Sequence, residues 1–352
     1  MPSFPKIGGE MPWLSLKQPG EQNDDNPWSS LKPYSQWLNT GRSALSVALR
    51  SLRKIHGCNR IWIPTFVCPC IRETCLRNSF SIEYYSLDRN LNILPGALDG
   101  AGTGDAFLWV HYFGFFSTYP VERLLDRGVW IVEDAVQSAL TGGVGKNGNF
   151  VFQSLRKFTP LPDGAYLGSD FPLEDKLESV DSEFIALRLK GKKLKAEQAP
   201  DREYLELFER SEALLDADYF PRSMSAVSKG MLKTQNLSQI IEKRRGNYLH
   251  LSQFLNSSGP IRPLFSSLPD SAAPLGLPVV LEQSQRNRVR SFLAGNGIYC
   301  AIHWLLAPGA PQLPGDEASW LSERILTLPI DQRYSRDDME YIWKTLKRSG
   351  LD

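Results

Sequence analysis

A lysine and an aspartate 23 residues apart, Lys157 in SLRKFTPLPDGAYL and Asp134 in VWIVEDAVQSAL, are the residues of this chain best suited to do chemistry together. Each follows a short apolar run that reads as a strand. A primary amine condenses with an aldehyde as a Schiff base, and a carboxylate keeps a pyridine nitrogen protonated. Those are the two things pyridoxal phosphate chemistry takes from a protein. Asp134 directly follows Ile131-Val132-Glu133, and in α/β proteins the carboxyl ends of strands face the ligand crevice. A buried acid there stays ionised only beside a positive partner, and a protonated pyridine is one. Leu155, Phe158, Pro160 and Pro162 shield Lys157 from water, whereas Arg156 is expected at the surface. Alone, Asp134 reads equally well as a cap on the next helix, and Lys157 as an ordinary surface lysine. The pair carries the reading.

Other residues gain meaning beside that pair. Thr40-Gly41-Arg42-Ser43 opens a helix whose free N–H groups and positive dipole end suit a phosphate, with Gly41 allowing close approach. Without a phosphate, Thr40 is simply an N-cap. Gln137 is placed to hydrogen-bond a ring oxygen. His111 and Tyr112 end the apolar run Ala106 to Phe113, and His303 follows another, so both histidines are candidate ring or substrate neighbours or else core residues. Two glycine-rich segments are excluded. Gly100 to Gly104 precedes a strand instead of joining a strand to a helix, and Gly142 to Gly148 lacks the spacing of a phosphate loop.

The chain has 352 residues and a net charge of +1, which gives no case for nucleic acid or an anionic membrane. Hydrophobic content of 42% is that of a globular protein, and no run reaches the roughly 18 apolar residues of a membrane span. The N-terminus lacks a signal-peptide pattern. Cys58, Cys68, Cys70, Cys75 and Cys300 have no zinc spacing and read as reduced, mostly buried packing residues, so a cytoplasmic location is expected. Apolar strands alternating with helices predict an α/β fold with a mostly parallel sheet between helices and a smaller C-terminal α/β domain. The expected divisions are an arm over residues 1–36, lying on the surface and containing the polar run 17–27; a large cofactor-binding domain over 37–235; and an interdomain helix with the small domain over 236–352. The basic run LRLKGKKLKAEQ reads as a solvated helix face or loop. The last helix is expected to be capped by Ser335 with Asp338.

With these segments in order, the chain resembles the DegT/StrS-type sugar aminotransferases, a pyridoxal phosphate family of the type I aspartate aminotransferase fold. The resemblance runs from about residue 38 to 346. It is carried by TGRSAL, IPTFVCPCI, VHYFGF, VEDAVQSAL, SLRKFTPLPDGAYL, IIEKRRGNY and the tail LSERILTLPIDQRYSRDDME. It implies that Lys157 binds the cofactor and then shuttles a proton, that Asp134 holds the pyridinium and Gln137 the phenolic oxygen, and that Gly41, Arg42 and Ser154 hold the phosphate, with Ser43 beside them. It further implies a homodimer, an amino acid donor (usually glutamate) and a nucleotide-linked keto sugar as acceptor, in polysaccharide, glycan or antibiotic sugar assembly. Three departures stand out. Cys68 occupies the position of the ring-stacking aromatic, and Pro221 that of an asparagine that reaches the neighbouring subunit's phosphate, where Arg222 is a possible substitute. The lysine segment is also two residues shorter. The alternatives these leave are a sugar dehydratase, against which the lysine itself argues, and a non-catalytic or regulatory protein.

Overall fold

The computed structural model of the chain describes residues 6–13, 28, 31–256, 261–306 and 309–350; the polar run 17–27 lies outside them. Along the first half come β1 (Ile7–Gly8), β2 (Tyr34–Leu38), α1 (Gly41–His56), β3 (Arg60–Pro64), α2 (Pro69–Arg77), β4 (Ser81–Tyr85), β5 (Asp105–Val110), α3 (Glu122–Leu125), β6 (Trp130–Asp134) and β7 (Phe150–Ser154). A single 3-10 turn, Leu155–Lys157, leads to β8 (Ala165–Ser169). After β9 (Glu178–Ser179) come α4 (Ser182–Ala196), α5 (Asp201–Ala217), β10 (Arg222–Ser223) and α6 (Ala226–Leu232). The remainder comprises α7 (Leu237–Asn256), β11 (Arg262–Pro263), β12 (Leu277–Val280), α8 (Gln283–Gly295), β13 (Ile298–Tyr299), α9 (Ala318–Arg324), β14 (Ile325–Leu328) and α10 (Arg336–Lys347).

Among the described residues, nine strands form one sheet in the order β4-β3-β5-β6-β7-β8-β2-β10-β9. The strands from β4 to β7 run parallel, while β8 and β2 pair antiparallel. β5 and β7 are buried from end to end, as strands covered on both faces must be. The apolar run after Ala106 leaves the ladder earlier than its composition suggests. Phe113 and Gly114 both take positive φ (55° and 90°), which turns the chain away at the sheet's carboxyl edge. Helix α1 crosses this sheet with Leu45, Leu49 and Leu52 fully buried, each worth roughly 1.5–3 kcal/mol relative to exposure. Thr40 caps it, and Gly57 ends it in the left-handed conformation.

In the C-terminal part β11, β12 and β14 form an antiparallel sheet. The expected capping box at Ser335 and Asp338 is present, and α10 buries Met339, Ile342 and Leu346. Two expectations are corrected. The arm does not simply lie on the surface: Ile7 and Gly8 pair in parallel with Ile298 and Tyr299, and Ile7 and Met11 are buried. Gly8 has φ +98°, and a Cβ there would sit 2.2 Å from the Tyr299 carbonyl oxygen, so only glycine fits the crossing. The basic run of α4 is a solvated face only in part: Lys190 and Lys193 are exposed, but two of its cations are not. Arg188 and Lys192 are buried and both donate to Glu10 Oε1 at 2.6 Å. Their counter-charge comes from the arm, some 180 residues away in sequence, so local composition could not reveal it.

Candidate functional site

The candidate residues gather where β3, β6 and β7 end and α1 begins. Asp134 is the last residue of β6, Ser154 the last of β7, and Lys157 closes the turn that follows. Lys157 is half-buried and, with Ser154 and Arg156, lines a cavity of about 360 Å³. Its other walls are the arm (Gly8 to Met11), Arg244 of α7, and His303, Thr327 and Asp331 from the C-terminal part. Asp134, Gln137 and Cys68 are not in that wall. Lys157 links Asp134 and Cys68 to it, since its charge bears on Asp134, Cys68 and His303.

Burial pushes the Asp134 carboxyl up to about 6; the Val136 N–H (donating to Oδ1 at 2.9 Å) and the Lys157 ammonium pull it back only in part. A carboxylate this deep, with one N–H and a nearby ammonium, has capacity for a further cationic donor. Gln137 is buried beside it. Its Oε1 accepts the Phe113 N–H at 2.9 Å, while its Nε2 has no hydrogen-bond partner among the described residues. A buried amide donor left open marks a place for an acceptor that is not part of this chain. Gly41 packs against the same strand ends: a Cβ there would lie 3.0 Å from Val136 Cγ2 and 3.8 Å from Ser154 Cβ. Ser43 N–H is taken by Thr40 Oγ1, and the N–H groups of Gly41 and Arg42 lie outside the helix's own ladder.

Other predicted residues have committed their polar atoms within the protein. The Arg42 guanidinium donates to Asp216 Oδ1 of α5 at 2.6 Å, although its charge still reaches Cys68. Ser43 Oγ donates to Asn39 Oδ1 at 2.6 Å. His111 is wholly buried, with Nε2 2.9 Å from Glu133 Oε2 and Nδ1 accepting the Ser117 N–H. His303 bonds Thr327 Oγ1 at 2.9 Å; burial, then Lys157, lower it to about 3, so it is a neutral imidazole in the cavity wall. Arg222, at the sheet edge, pairs with Asp218 and Glu178.

Three contributions were missed from the sequence: that of Glu133, that of Arg244 with Gln332, and that of Glu10. Glu133 gathers the N–H groups of Gly145, Asn147 and Gly148 as well as His111, which is the use to which the glycine-rich 142–148 segment is put. Arg244 donates to the carbonyls of Pro274, Leu275 and Lys157 and lies over the Phe158 ring, while Gln332 Nε2 donates to the Phe158 carbonyl at 2.7 Å. These two residues fasten the lysine turn to the C-terminal part. Glu10 is the third. The acidic residue after a Gly-Gly pair was its only signal.

No family model matches the chain, and no curated protein does. Solved structures do. A DegT/DnrJ/EryC1/StrS aminotransferase from Brucella abortus is 17% identical over 90% of this chain and 85% of its own, with a TM-score of 0.63. The sugar aminotransferase CalS13 from Micromonospora echinospora is 17% identical over 89% and 87%, TM-score 0.63. PseC from Helicobacter pylori, an aminotransferase involved in pseudoaminic acid biosynthesis, is 14% identical over 90% and 87%, TM-score 0.65. At these identities the likeness establishes the fold, the mixed α/β architecture with a large, mostly parallel sheet that the sequence predicts.

Proposed function

We propose that this chain is a pyridoxal phosphate-dependent aminotransferase that moves an amino group from an amino acid, glutamate being the leading donor, to a nucleotide-linked keto sugar. The observation that carries the reading is that Asp134 ends β6 and Lys157 closes the turn after β7, near enough for the lysine's charge to lower the acid, in a chain with this fold. The residues fit the cofactor. Asp134 is a buried acid with capacity for a pyridinium N–H, Gln137 Nε2 is an open donor for a phenolic oxygen, and Gly41 leaves a Cβ-sized approach to the α1 N-terminus for a phosphate. Pyridoxal phosphate, when bound, supplies the aldehyde that takes up the amine and the ring that spreads the resulting carbanion's charge.

In this reading Asp134 would hold the protonated ring nitrogen, and Lys157 would bind the cofactor aldehyde and afterwards, through Nζ, move the proton. Arg244 and Gln332 hold the turn so that Nζ stays in line. His303, neutral and fixed by Thr327, offers the cavity a hydrogen bond without a charge. The proposed setting is surface polysaccharide, glycan or antibiotic sugar assembly, with a homodimer as the working form.

A non-catalytic reading has one observation in its favour: Arg42 and Arg222, the side chains expected at a phosphate, both pair with protein carboxylates. Spectroscopy separates the two. Purified protein given pyridoxal phosphate is expected to absorb in the visible, to bleach with glutamate and to recover with a keto acid. Borohydride is expected to fix the cofactor on Lys157, as read by peptide mass spectrometry. Bound cofactor indifferent to every amino donor supports the non-catalytic reading, and a Lys157→Ala protein that is still tagged overturns the assignment of the lysine. Nitrogen-labelled glutamate offered with a panel of keto-sugar nucleotides then identifies the acceptor.

A further inference from the structure

Cys68 and Cys70 flank Pro69 where β3 gives way to α2, and their sulfurs lie 3.2 Å apart. Both are half-buried, whereas Cys58, Cys75 and Cys300 are buried in the core. The two thiols are unequal. A hydrogen bond from Cys70 Sγ, followed by the charges of Lys157 and Arg42, outweighs burial and lowers the Cys68 thiol below its ordinary value; the same bond and burial raise Cys70. Cys68 is thus placed to be the attacking thiolate and Cys70 the resolving thiol.

We propose that Cys68 and Cys70 form a reversible thiol–disulfide site whose oxidant is a low-molecular-weight disulfide. Cys68 Sγ attacks one sulfur of that disulfide, breaking its S–S bond and releasing one small thiol. Cys70 then gives up its proton and attacks Cys68 Sγ, closing the Cys68–Cys70 bond and expelling the second small thiol. Two electrons pass from the protein to the oxidant; Cys70 supplies one of the protons on the two released thiols, and solvent supplies the other. The reduced site keeps a negative charge that bears on Asp134, and the oxidised site removes it, so oxidation changes the electrostatics of the lysine–aspartate pair. The inference does not depend on what reaction the site performs.

The test uses the full chain. Protein is equilibrated with oxidised glutathione, free thiols are blocked with iodoacetamide, and the tryptic peptide Ile61–Arg72, which carries both cysteines and no other, is weighed. The expected peptide is two hydrogens lighter, unalkylated, and restored by dithiothreitol, while Cys58, Cys75 and Cys300 are unchanged. Cys70→Ser, lacking the resolving thiol, is expected to retain glutathione on Cys68. Full alkylation of both thiols in the wild type would overturn the proposal. So would glutathione that persists on wild-type Cys68 as it does on the variant.

Discussion

Burial disfavours the ionised form of Asp134 in the cofactor-free protein. Its folded value of about 6 lies above the ordinary 3.8, so folding favours the protonated acid. Stability from this group is therefore full below the unfolded value, falls as pH rises from about 4 to 6, and is constant above that. Two pH units correspond to about 3 kcal/mol. Asp134→Asn is expected to stabilise the cofactor-free protein by on the order of 2–3 kcal/mol at pH 8 and by little at pH 4.5, read from urea midpoints at the two pH values. Equal gains at both would show that the carboxylate is not strained. The same variant should slow transamination at least about a hundredfold, because a neutral amide cannot hold a pyridinium. The placement of Asp134 at a strand end and of Lys157 just past another was legible from the apolar runs before them. The partners of Arg42, Ser43 and His111 were not. Asp216 and Glu133 are brought to Arg42 and His111 by tertiary packing, and only Asn39, four residues before Ser43, was near enough to suspect.

At the scale of elements, the α1 N-terminus tests whether the cradle is a phosphate site or only a capped helix. Gly41→Ala places a methyl 3.0 Å from Val136 Cγ2, a contact the valine can relieve by a small shift, and alanine is the better helix former. The fold should therefore change by less than about 1 kcal/mol. Affinity for pyridoxal phosphate is expected to fall about tenfold or more, since the methyl fills the space between helix and strand ends where an anion must approach. Equilibrium titration of the cofactor beside a thermal melt separates these outcomes, and unchanged affinity would leave Thr40 as an N-cap alone. Most elements were legible because periodicity is local: β3, β4, β7, β8, α1 and α10 follow the apolar pattern. The end of β5 was not, because the positive φ of Phe113 reflects packing and leaves no mark on hydrophobicity.

For the molecule as a whole, the arm ties α4 to the C-terminal part. β1 pairs with β13, Gly8 N–H donates to the Tyr334 hydroxyl, and Glu10 sits between Arg188 and Lys192 of α4. Burial alone would raise the Glu10 carboxyl, but Lys192, Arg188 and Arg156 hold it well below the usual carboxylate range. Its contribution is therefore present above the ordinary carboxylate value and lost only as pH falls far below it. Glu10→Gln leaves the fully buried Lys192 ammonium without its counter-charge and should destabilise the protein by on the order of 3 kcal/mol. It should also free residues 6–13, so that limited proteolysis cuts there first. Removing the stranded charge as well, in Glu10→Gln/Lys192→Met, is expected to recover more than half of the loss, because the penalty belongs to the unpaired ammonium and not to the missing contact. If the double variant is no more stable than the single one, the arm is held by its strand pairing, and the ion pair is incidental to how the cavity wall is built.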